Sequence, residues 1–511
     1  MTTIAENNKR IAKNTILLYF RMIFIMIISL FTSRINLQSL GAEDFGIYNV
    51  VGGVVAMFSV FSGSIATSIS RFITFELGKN DKERLRKVFS TAVSIQFLLA
   101  IFIIIVAEIA GVWFLNNKMV IPVSRLSAAN LVLQLSIFSF AINLISVPYN
   151  AAIIAHEKMS AFAYISIFEV VMKLIICYSL FISPIDKLVT FAVLLFILSI
   201  CLRLMYGIYC KKHFDECRYY WVIDKKLFTE IAGFAGWSSF TLVAYSFYNS
   251  GLNILLNLFF GPVVNAARGI AVQVQNTVQG FCKNFQTAIN PQIIKSYSEG
   301  DLYRVFSLIF VGSKFSFFLM YFLSLPLILE ADVILSFWLD EVPQHTIIFV
   351  RFILVIVTID SIGGPLYSAQ QATGKIRAFQ LMTGTLMLLI LPISYIALKF
   401  GATAEIVYIV YLFILSIVQL LSIILIHKMI KMPLNQYFYE VGLKIILVVV
   451  TSSPLPLIAY CCLSPTISTF FIVCITCVLS STFSIYFLGL TYKERMIVNH
   501  KLQCLKNVLK L

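Results

Sequence analysis

Long, unbroken apolar runs recur along the whole chain, and they limit what it can fold into more than any other feature. Two examples are 16-ILLYFRMIFIMIISLF-31 and 98-LLAIFIIIVAEIAGVWF-114. A helix needs about 20 apolar residues to cross a bilayer, whereas the strands of an outer-membrane barrel show only short alternating segments. The chain is 59% hydrophobic and 12% charged, far from the composition of a soluble domain. The sequence therefore predicts an all-α integral membrane protein.

The apolar runs divide into about fourteen predicted transmembrane helices joined by short loops. We predict spans at residues 15–33, 46–74, 89–112, 127–148, 161–182, 188–209, 230–258, 264–290, 304–328, 346–370, 378–398, 404–426, 441–463 and 467–490. The first run follows basic residues, as a signal peptide does, but it lacks a small-x-small cleavage site. We therefore expect it to be retained as the first helix. The eighth span is unusually polar, but the charge pattern of the later loops requires it.

The basic residues of the loops lie mostly on one side of the predicted helices. The side that holds the N-terminus carries 25 Lys and Arg residues, and the opposite side carries 6. Because basic residues are enriched in cytoplasmic loops, this asymmetry predicts that both termini are cytoplasmic. It also accounts for the net charge of +15 without a nucleic-acid partner. The ten cysteines lie mostly in or beside apolar runs, so we expect no disulfide framework.

Parts of the sequence repeat at a constant offset of 217 residues. The stretch 148-PYNAAIIAHEKMSAF-162 matches 365-PLYSAQQATGKIRAF-379 at six of fifteen positions, and a second match follows span 2. Convergent loop composition is the alternative explanation. A duplication predicts six-helix lobes at residues 1–217 and 218–434, followed by two extra helices in residues 435–511. Because each lobe has an even number of helices, a pseudo-two-fold axis along the membrane normal would relate the lobes.

Most of the ionisable residues within or at the ends of the predicted spans are basic. The bases are Arg21, Arg71, Lys173, Arg203, Lys283, Lys314, Arg351 and Lys444, and the acids are Glu108, Glu169 and Asp360. Charged groups at membrane depth are costly, so they usually face a cavity or a partner. An excess of cations along such a cavity suits an anionic passenger.

Several of these charges also have a structural explanation. Glu169 and Lys173 are spaced i,i+4 and can neutralise each other. Arg203 and Lys444 lie near the predicted cytoplasmic ends, from which they can reach lipid headgroups. The stronger candidates for a binding cavity are Arg21, Lys283, Lys314, Arg351 and Asp360, together with Arg268, which either caps the cavity or marks the membrane interface.

Uncharged polar residues follow helical spacing in spans 7 and 8. Asn249, Asn253 and Asn257 recur every four residues in span 7. One face of span 8 carries Gln273, Asn276, Gly280, Lys283, Thr287 and Asn290. Interhelical hydrogen bonds can explain such stripes. The polar arc of span 8 is broader than that explanation requires, so we predict that it lines a cavity.

No sequence motif indicates enzymatic chemistry. The chain has no P-loop, HExxH or GxSxG motif, and it has only five histidines. We therefore predict that it is not an enzyme and has no catalytic residues, no cofactor and no metal site. The sequence also lacks an ATPase domain, so transport would depend on an ion gradient, the membrane potential or the passenger's own gradient.

The stretch 40-LGAEDFGIYNV-50, directly after span 1, resembles the LGxxxFGxY signature of the polysaccharide-biosynthesis flippases. The stretch 260-FGPVVNAARGIAVQVQNTVQGF-281 is similar to the corresponding element of the second lobe. That family transports lipid-linked O-antigen or capsule repeat units and belongs to the MATE-like multidrug/oligosaccharidyl-lipid/polysaccharide superfamily. The resemblance covers essentially the whole chain. It implies twelve core helices in two lobes, with an optional thirteenth and fourteenth.

The resemblance also implies a function. Such a flippase moves undecaprenyl-pyrophosphate-linked oligosaccharide to the periplasmic leaflet of the bacterial inner membrane by alternating access. The residues that would attract pyrophosphate or acidic sugars are Arg21, Lys283 and Lys314, followed by Arg268 and Arg351. The residues that would hydrogen-bond sugar hydroxyls are Asn253, Gln273 and Asn276. Asp360 would bind a coupling H⁺ or Na⁺ or would pair with a nearby cation.

The implied partners are membrane lipids, a polysaccharide polymerase and sugar transferases, and spans 13 and 14 would offer a groove for the polyprenyl tail. Four other functions remain open, one of which is a non-transporting scaffold that would not explain cations in the membrane. A cation-coupled multidrug exporter shares the fold but depends on membrane-embedded acids, whereas bases outnumber acids here. A lipid II-type flippase is the second. A membrane-bound glycosyltransferase or polymerase is the third, but no loop exceeds about twenty residues.

Overall fold

The computed structural model describes residues 4–56, 59–117, 121–220, 224–339, 342–463, 467–492, 494–496 and 499. Every regular element in these residues is helical, which confirms the predicted all-α class. The α-helices are α1 (Ile4–Ala56), α2 (Ser59–Lys79), α3 (Lys82–Asn117), α4 (Leu126–Ala155), α5 (Met159–Ser179), α6 (Lys187–His213), α7 (Lys225–Phe260), α8 (Pro262–Ser298), α9 (Leu302–Leu329), α10 (Ala331–Trp338), α11 (Thr346–Asp360), α12 (Gly363–Thr373), α13 (Arg377–Lys399), α14 (Ile406–Ile430), α15 (Leu434–Tyr437), α16 (Leu443–Ser452), α17 (Pro454–Cys462) and α18 (Ile467–Ser484). Short 3-10 helices cover Val123–Arg125 and Asp215–Cys217, and π-helical turns cover Phe438–Gly442 and Ile485–Gly489.

Within the described residues, eleven helical segments are long and apolar enough to cross a membrane, and there are twelve if the bent pair α11–α12 is counted as one span. Two predicted spans are not in this set. The predicted span 46–74 lies on the end of α1 and on α2, apart from residues 57 and 58, which are outside the described residues. The predicted span 264–290 lies within α8. Both segments are helical as expected. Helix α8 is long enough to cross a membrane, but its polar face keeps it out of the set of apolar segments.

The tenth predicted span is interrupted in the middle. Helix α11 ends at Asp360, α12 begins at Gly363, and the two are bent by 40° at this break. Two consecutive glycines, Gly363 and Gly364, open the second half, and glycine costs about 1 kcal/mol relative to alanine inside a helix. The predicted span at residues 346–370 is thus divided into two helices at this point.

The LGAEDFGIY stretch forms a kink within α1. Gly41 has φ 78° and ψ 167°, a backbone conformation that is essentially restricted to glycine. Beyond the kink, Asp44 accepts a hydrogen bond from Arg125 Nε at 2.8 Å, and Arg125 also pairs with Asp186 at the start of α6. The Arg125 guanidinium thus ties the kink to the beginnings of α4 and α6. Backbone geometry explains the first glycine of the signature.

The packing divides the chain into two compact units. Unit 1 comprises Met1–Val243, Thr287–Asp301 and Gly374–Leu381, and unit 2 comprises Ala244–Gln286, Leu302–Thr373 and Met382–Leu511. In unit 1, α4 packs against α2, α3 and α6, and α1 packs against α5. In unit 2, α9 packs against α11, α12 and α18, and α14 packs against α11 and α12. These units are defined by contacts in space, whereas the predicted lobes are defined by the sequence repeat. The lobe boundaries therefore stay a prediction.

In unit 1, His156 and Glu216 hold the turn after α4 against the segment after α6. The imidazole Nε2 of His156 hydrogen-bonds with the Glu216 carboxylate, and its ring stacks on Phe214 with centroids 4.0 Å apart. Burial opposes the charge on Glu216, but the hydrogen bond with His156 and backbone hydrogen bonding outweigh burial. The pKa of Glu216 therefore lies below its ordinary value of 4.5.

We expect this contact to make stability depend on pH in the acidic range. Folding lowers the pKa of Glu216. The contribution of its carboxylate to the free energy of unfolding is therefore fully present above pH 4.5 and is lost as the pH falls below that value. Replacing Glu216 with Gln should lower the melting temperature near neutral pH and flatten its fall on acidification. Thermal unfolding in detergent, from about pH 3.5 to about pH 7, measures both effects. Parallel pH curves for wild type and Glu216→Gln would contradict the expectation.

Candidate functional site

Helix α8 exposes its polar face and buries its apolar face. Gln273, Asn276 and Lys283 are all exposed. The opposite side packs into the hydrophobic core of unit 2 through Val264, Ala267, Ala271, Val278 and Cys282. A lysine facing lipid at membrane depth costs about 2.5–3.5 kcal/mol, so a lipid-facing helix would have the reverse arrangement. The exposed polar face favours the predicted lining of a water-accessible cavity.

Arg268, near the start of α8, is buried among neutral partners. Only 4% of the residue is exposed. Its Nη2 donates to Asn249 Oδ1 at 2.5 Å, and its Nη1 donates to Asn253 Oδ1. Within the described part of the chain, no carboxylate oxygen lies within 4.0 Å of this guanidinium. Buried charges are normally paired, so an arginine with neutral partners only is suited to receive an anion.

Four tyrosines are electrostatic neighbours of Arg268, namely Tyr245, Tyr248, Tyr408 and Tyr411. The Tyr248 hydroxyl donates to the Tyr411 hydroxyl at 2.9 Å. The Tyr408 hydroxyl is buried and has no hydrogen-bond partner among the described residues. A phenol hydroxyl can donate and accept, so the tyrosines add neutral hydrogen-bonding groups around the guanidinium.

Lys283 and Asp360 interact electrostatically within unit 2. Lys283 is exposed on α8, and Asp360 is the last residue of α11, next to the helix break. Asp360 is partly accessible to solvent even though it belongs to the interior of the helix bundle. Unwound backbone and helix ends at membrane depth are where transporters bind coupling ions. The helix break therefore places an acidic residue within electrostatic reach of a lysine on the polar face of α8.

Side chains from three neighbouring helices satisfy the backbone carbonyls at the break. Gln286 of α8 donates to Ser361 O at 3.2 Å, Ser313 of α9 to Ile362 O at 2.9 Å, and Gln419 of α14 to Asp360 O at 3.4 Å. Because no water reaches the hydrocarbon core, an interrupted helix at this depth requires such protein partners. The backbone carbonyls at the break are therefore satisfied by side chains of unit 2.

The two glycines after the break leave room for these amides. A Cβ atom at Gly363 would lie 2.7 Å from Gln419 Nε2, and a Cβ atom at Gly364 would lie 2.2 Å from Gln286 Nε2. Any larger residue would push the amides away from the carbonyl groups that they satisfy.

Lys314 and Arg351, two of the predicted site residues, have structural partners. The Lys314 side chain is 2% exposed, and its Nζ lies 2.7 Å and 2.9 Å from the two carboxylate oxygens of Glu494. Arg351 donates to the carbonyls of Ile328 and Leu329 at the end of α9, at 2.9 Å and 3.3 Å. Basic side chains commonly satisfy the last carbonyls of a helix in this way. These contacts account for both charges, and we leave both residues out of the proposed site.

Arg21 lies in unit 1, with its guanidinium carbon 4.2 Å from the centre of the Phe162 ring. Glu169 is an electrostatic neighbour of Arg21, and it accepts a hydrogen bond from Lys173 at 2.6 Å. The i,i+4 pairing suggested by the sequence is thus present. Glu169 and Lys173 line a cavity of about 280 Å³ in unit 1 together with Asn143.

The structure brings only some of the predicted residues together. Arg268 contacts Asn253, Lys283 interacts with Asp360, and Gln273 and Asn276 share the exposed face of α8 with Lys283. Tyr248, Tyr408 and Tyr411 near Arg268 were not predicted from the sequence, nor were the side chains that satisfy the break. Two adjacent glycines after Asp360 were a usable signal for the break. Among the described residues, no group of three or more His, Cys, Asp or Glu side chains is placed to hold a metal ion.

Several solved structures share this fold. A MATE transporter in the bent conformation has a TM-score of 0.72 and 13% identity, covering 84% of this chain and 98% of that one. A multidrug resistance MATE family transporter of the MOP superfamily, in an outward-facing conformation, has a TM-score of 0.69 and 15% identity, covering 84% and 99%. A MOP superfamily transporter from Pyrococcus furiosus, described as having a binding pocket of reverse polarity, has a TM-score of 0.67 and 15% identity, covering 82% and 96%. At these identities the likeness shows the fold alone.

The sequence itself identifies the family. No curated protein matches the chain by sequence. A family model described as "Polysaccharide biosynthesis protein" matches residues 11–297, which is more than half of the 511 residues. The predicted family and the predicted MATE-like fold are both confirmed. The chain is a multi-pass membrane protein with the fold of a transporter, and it belongs to the polysaccharide biosynthesis protein family.

Proposed function

We propose that this protein is a flippase that moves an oligosaccharide linked to undecaprenyl pyrophosphate, an O-antigen or capsular repeat unit, across the bacterial inner membrane. One observation carries the proposal. Helix α8 combines an exposed polar face, including Lys283, with a buried Arg268 whose partners are neutral. A buried guanidinium held by neutral partners suits the strongly negative pyrophosphate headgroup better than a cationic or neutral passenger.

Each group on α8 has a chemical task in this proposal. The planar guanidinium of Arg268 can form two parallel hydrogen bonds to phosphate oxygens or to the carboxylate of an acidic sugar. Lys283 supplies a flexible ammonium group with three donors. The amides of Asn253, Gln273 and Asn276 donate and accept, as sugar hydroxyls require. Arg21 in unit 1 is a further candidate for contact with the headgroup.

Asp360 is the proposed coupling site for H⁺ or Na⁺. When the anionic headgroup binds Lys283, it screens the positive charge that lies near Asp360. A carboxylate with less positive charge nearby binds a proton or sodium ion more readily. The headgroup at Lys283 and the cation at Asp360 would therefore change each other's affinity, and this linkage between the two sites is reciprocal.

Topology and partners follow from the same proposal. Both termini would lie in the cytoplasm, and the two predicted lobes would alternate in access about the substrate. Sugar transferases would complete the repeat unit on the cytoplasmic face, and a polymerase would consume it on the periplasmic face. The apolar helices α16, α17 and α18 would offer a surface for the polyprenyl chain.

A cation-coupled multidrug exporter of the same fold is the second candidate, and Asp360 is the observation that favours it. The neutral partners of Arg268 favour an anionic passenger instead. The transporter from Pyrococcus furiosus, described as having a pocket of reverse polarity and a suggested different function, supports the idea that pocket charge varies on this fold. A lipid II-type flippase would share the headgroup chemistry and differ in the sugar.

The decisive experiment deletes the gene and asks in which leaflet the lipid-linked oligosaccharide accumulates. We expect accumulation in the cytoplasmic leaflet, where a glycosidase reaches the sugar in inverted vesicles but not in right-side-out vesicles. Surface polysaccharide should be lost and should return with a plasmid copy of the gene. Accumulation in the periplasmic leaflet would overturn the proposal. Increased sensitivity to cationic drugs with normal surface polysaccharide would support the exporter instead.

A further inference from the structure

Glu157, in the turn between α4 and α5, has a backbone conformation that residues other than glycine seldom adopt. Its φ is 57°. Gly374, which lies 217 residues later in the matching turn, has φ 75°. The second turn uses the residue type that this conformation favours, whereas the first keeps a glutamate at a conformational cost. A side chain retained at such a position points to a role for that side chain.

The Glu157 carboxylate is enclosed and fully engaged. Only 3% of the side chain is exposed. Gln292 Nε2 donates to both carboxylate oxygens at 2.6 Å, and the Arg10 guanidinium lies 2.8 Å away, measured from Nε to Oε2. The Asn14 amide donates to the Glu157 backbone carbonyl at 3.3 Å. Hydrogen bonds to an ionised carboxylate are among the strongest in proteins.

These contacts join distant parts of the chain. Arg10 and Asn14 lie on α1, Glu157 lies in the α4–α5 turn, and Gln292 lies near the end of α8. All of them belong to unit 1, and all lie on the side that the loop charges predict to be cytoplasmic. In the repeat, the first two segments fall in the first half and α8 falls in the second half. Glu157 therefore links the two halves of the repeat.

Other close approaches in unit 1 link the same halves. The Ser64 hydroxyl of α2 lies 2.6 Å from the Ser239 hydroxyl of α7. A Cβ atom at Gly374 would lie 2.9 Å from Arg71 Nη2, so the arginine packs directly over the second turn. Gly374 offers no carboxylate to hold that arginine.

We infer that Glu157 is a latch residue that keeps the cytoplasmic side closed and releases Gln292 and Arg10 when the lipid-linked substrate enters. This inference rests on the proposed transport function. Entry from the cytoplasm requires α1, the α4–α5 turn and the end of α8 to separate. The free energy of the Glu157 contacts then sets the fraction of molecules that are closed, because each conformation is populated according to its relative free energy.

Accessibility of a buried thiol tests the latch directly. In a background from which the native cysteines have been removed, Ser64→Cys places the reporter at a residue that is 0% exposed. Adding Glu157→Ala should raise the rate of labelling by a membrane-impermeant maleimide, applied to inverted vesicles, by about tenfold or more, because charge-assisted contacts are lost. The matched control is Glu83→Ala, whose side chain is 81% exposed and pairs with Lys87 one turn away. It should leave the rate unchanged.

A second variant serves as a control for misfolding. Glu157→Gln keeps the shape of the side chain and removes the charge that pairs with Arg10, so it should raise the labelling rate by a smaller factor at a normal protein level. Unchanged labelling in both Glu157 variants would overturn the latch. Increased labelling together with periplasmic-leaflet accumulation of oligosaccharide in the deletion strain would keep the latch and reject the flippase.

A cross-link between α2 and α7 gives an independent test. A disulfide formed between Ser64→Cys and Ser239→Cys should arrest polysaccharide export, and a reductant should restore it. Export that continues with the disulfide fully formed would show that these segments need not separate, and it would overturn the inference.

Discussion

Cells that carry Lys283→Ala as their only copy are expected to lose surface polysaccharide while the variant reaches the membrane at its normal level. Lys283 is exposed on α8, so its truncation opens no cavity in the core of unit 2. The change removes a charge-assisted contact to the headgroup, worth about 1.5–3 kcal/mol, which corresponds to a loss of about tenfold or more in transport. Lys283→Arg keeps the charge and should retain part of the activity. Surface glycan measured against membrane-protein level in a complemented deletion strain gives the result.

A double variant separates a substrate contact from internal charge balance. If Lys283 served only to neutralise Asp360, the combination of Lys283→Ala with Asp360→Asn would restore transport. We expect the double variant to stay inactive, because the headgroup still lacks its ammonium partner. Lys428→Ala, at an exposed base near the end of α14, is the matched control and should be neutral. Wild-type glycan in Lys283→Ala would remove this residue from the proposed site.

The sequence predicts the helices well because membrane spans are coded locally. A run of about 20 apolar residues has few alternatives once backbone hydrogen bonds must be satisfied within the segment. The polar segment 264–290 was predicted as a span from loop charge rather than hydropathy, and it lies in a helix. The break after Asp360 escaped prediction because hydropathy averages over a window and does not register two adjacent glycines.

The candidate site was only partly predictable because partners depend on tertiary contacts. The spacing of Asn249 and Asn253 indicated one helical face, and Arg268 hydrogen-bonds with both of them. By contrast, Lys314 pairs with Glu494, which lies 180 residues away in the chain. Nothing in the local sequence distinguishes a lysine that has such a carboxylate from one that faces a cavity. An excess of bases therefore does not show which of them would touch a passenger.

Gly78→Ala should strongly destabilise unit 1, although alanine is normally the better helix former. Gly78 is buried near the end of α2, where a Cβ atom would lie 1.7 Å from Ser298 Oγ and 2.8 Å from the backbone oxygen of Lys295. The serine can rotate away, but the backbone of α8 cannot move without disturbing the neighbouring Gln292 contact. We expect a loss of about 1–3 kcal/mol, typical of overpacking, as a lower melting temperature in detergent.

Two further variants make the Gly78 result specific. Gly236 lies inside α7 with nothing within 4 Å of a Cβ atom, so Gly236→Ala should leave the melting temperature unchanged or raise it through helix propensity. Adding Ser298→Ala to Gly78→Ala removes the hydroxyl clash and leaves the contact with the Lys295 carbonyl, so stability should recover only in part. Because the same close approach joins α2 to α8, Gly78→Ala should also increase maleimide labelling of Ser64→Cys. If Gly78→Ala melts at the wild-type temperature, α2 and α8 are not in direct backbone contact at this position, and the tight closure around Glu157 loses its structural support.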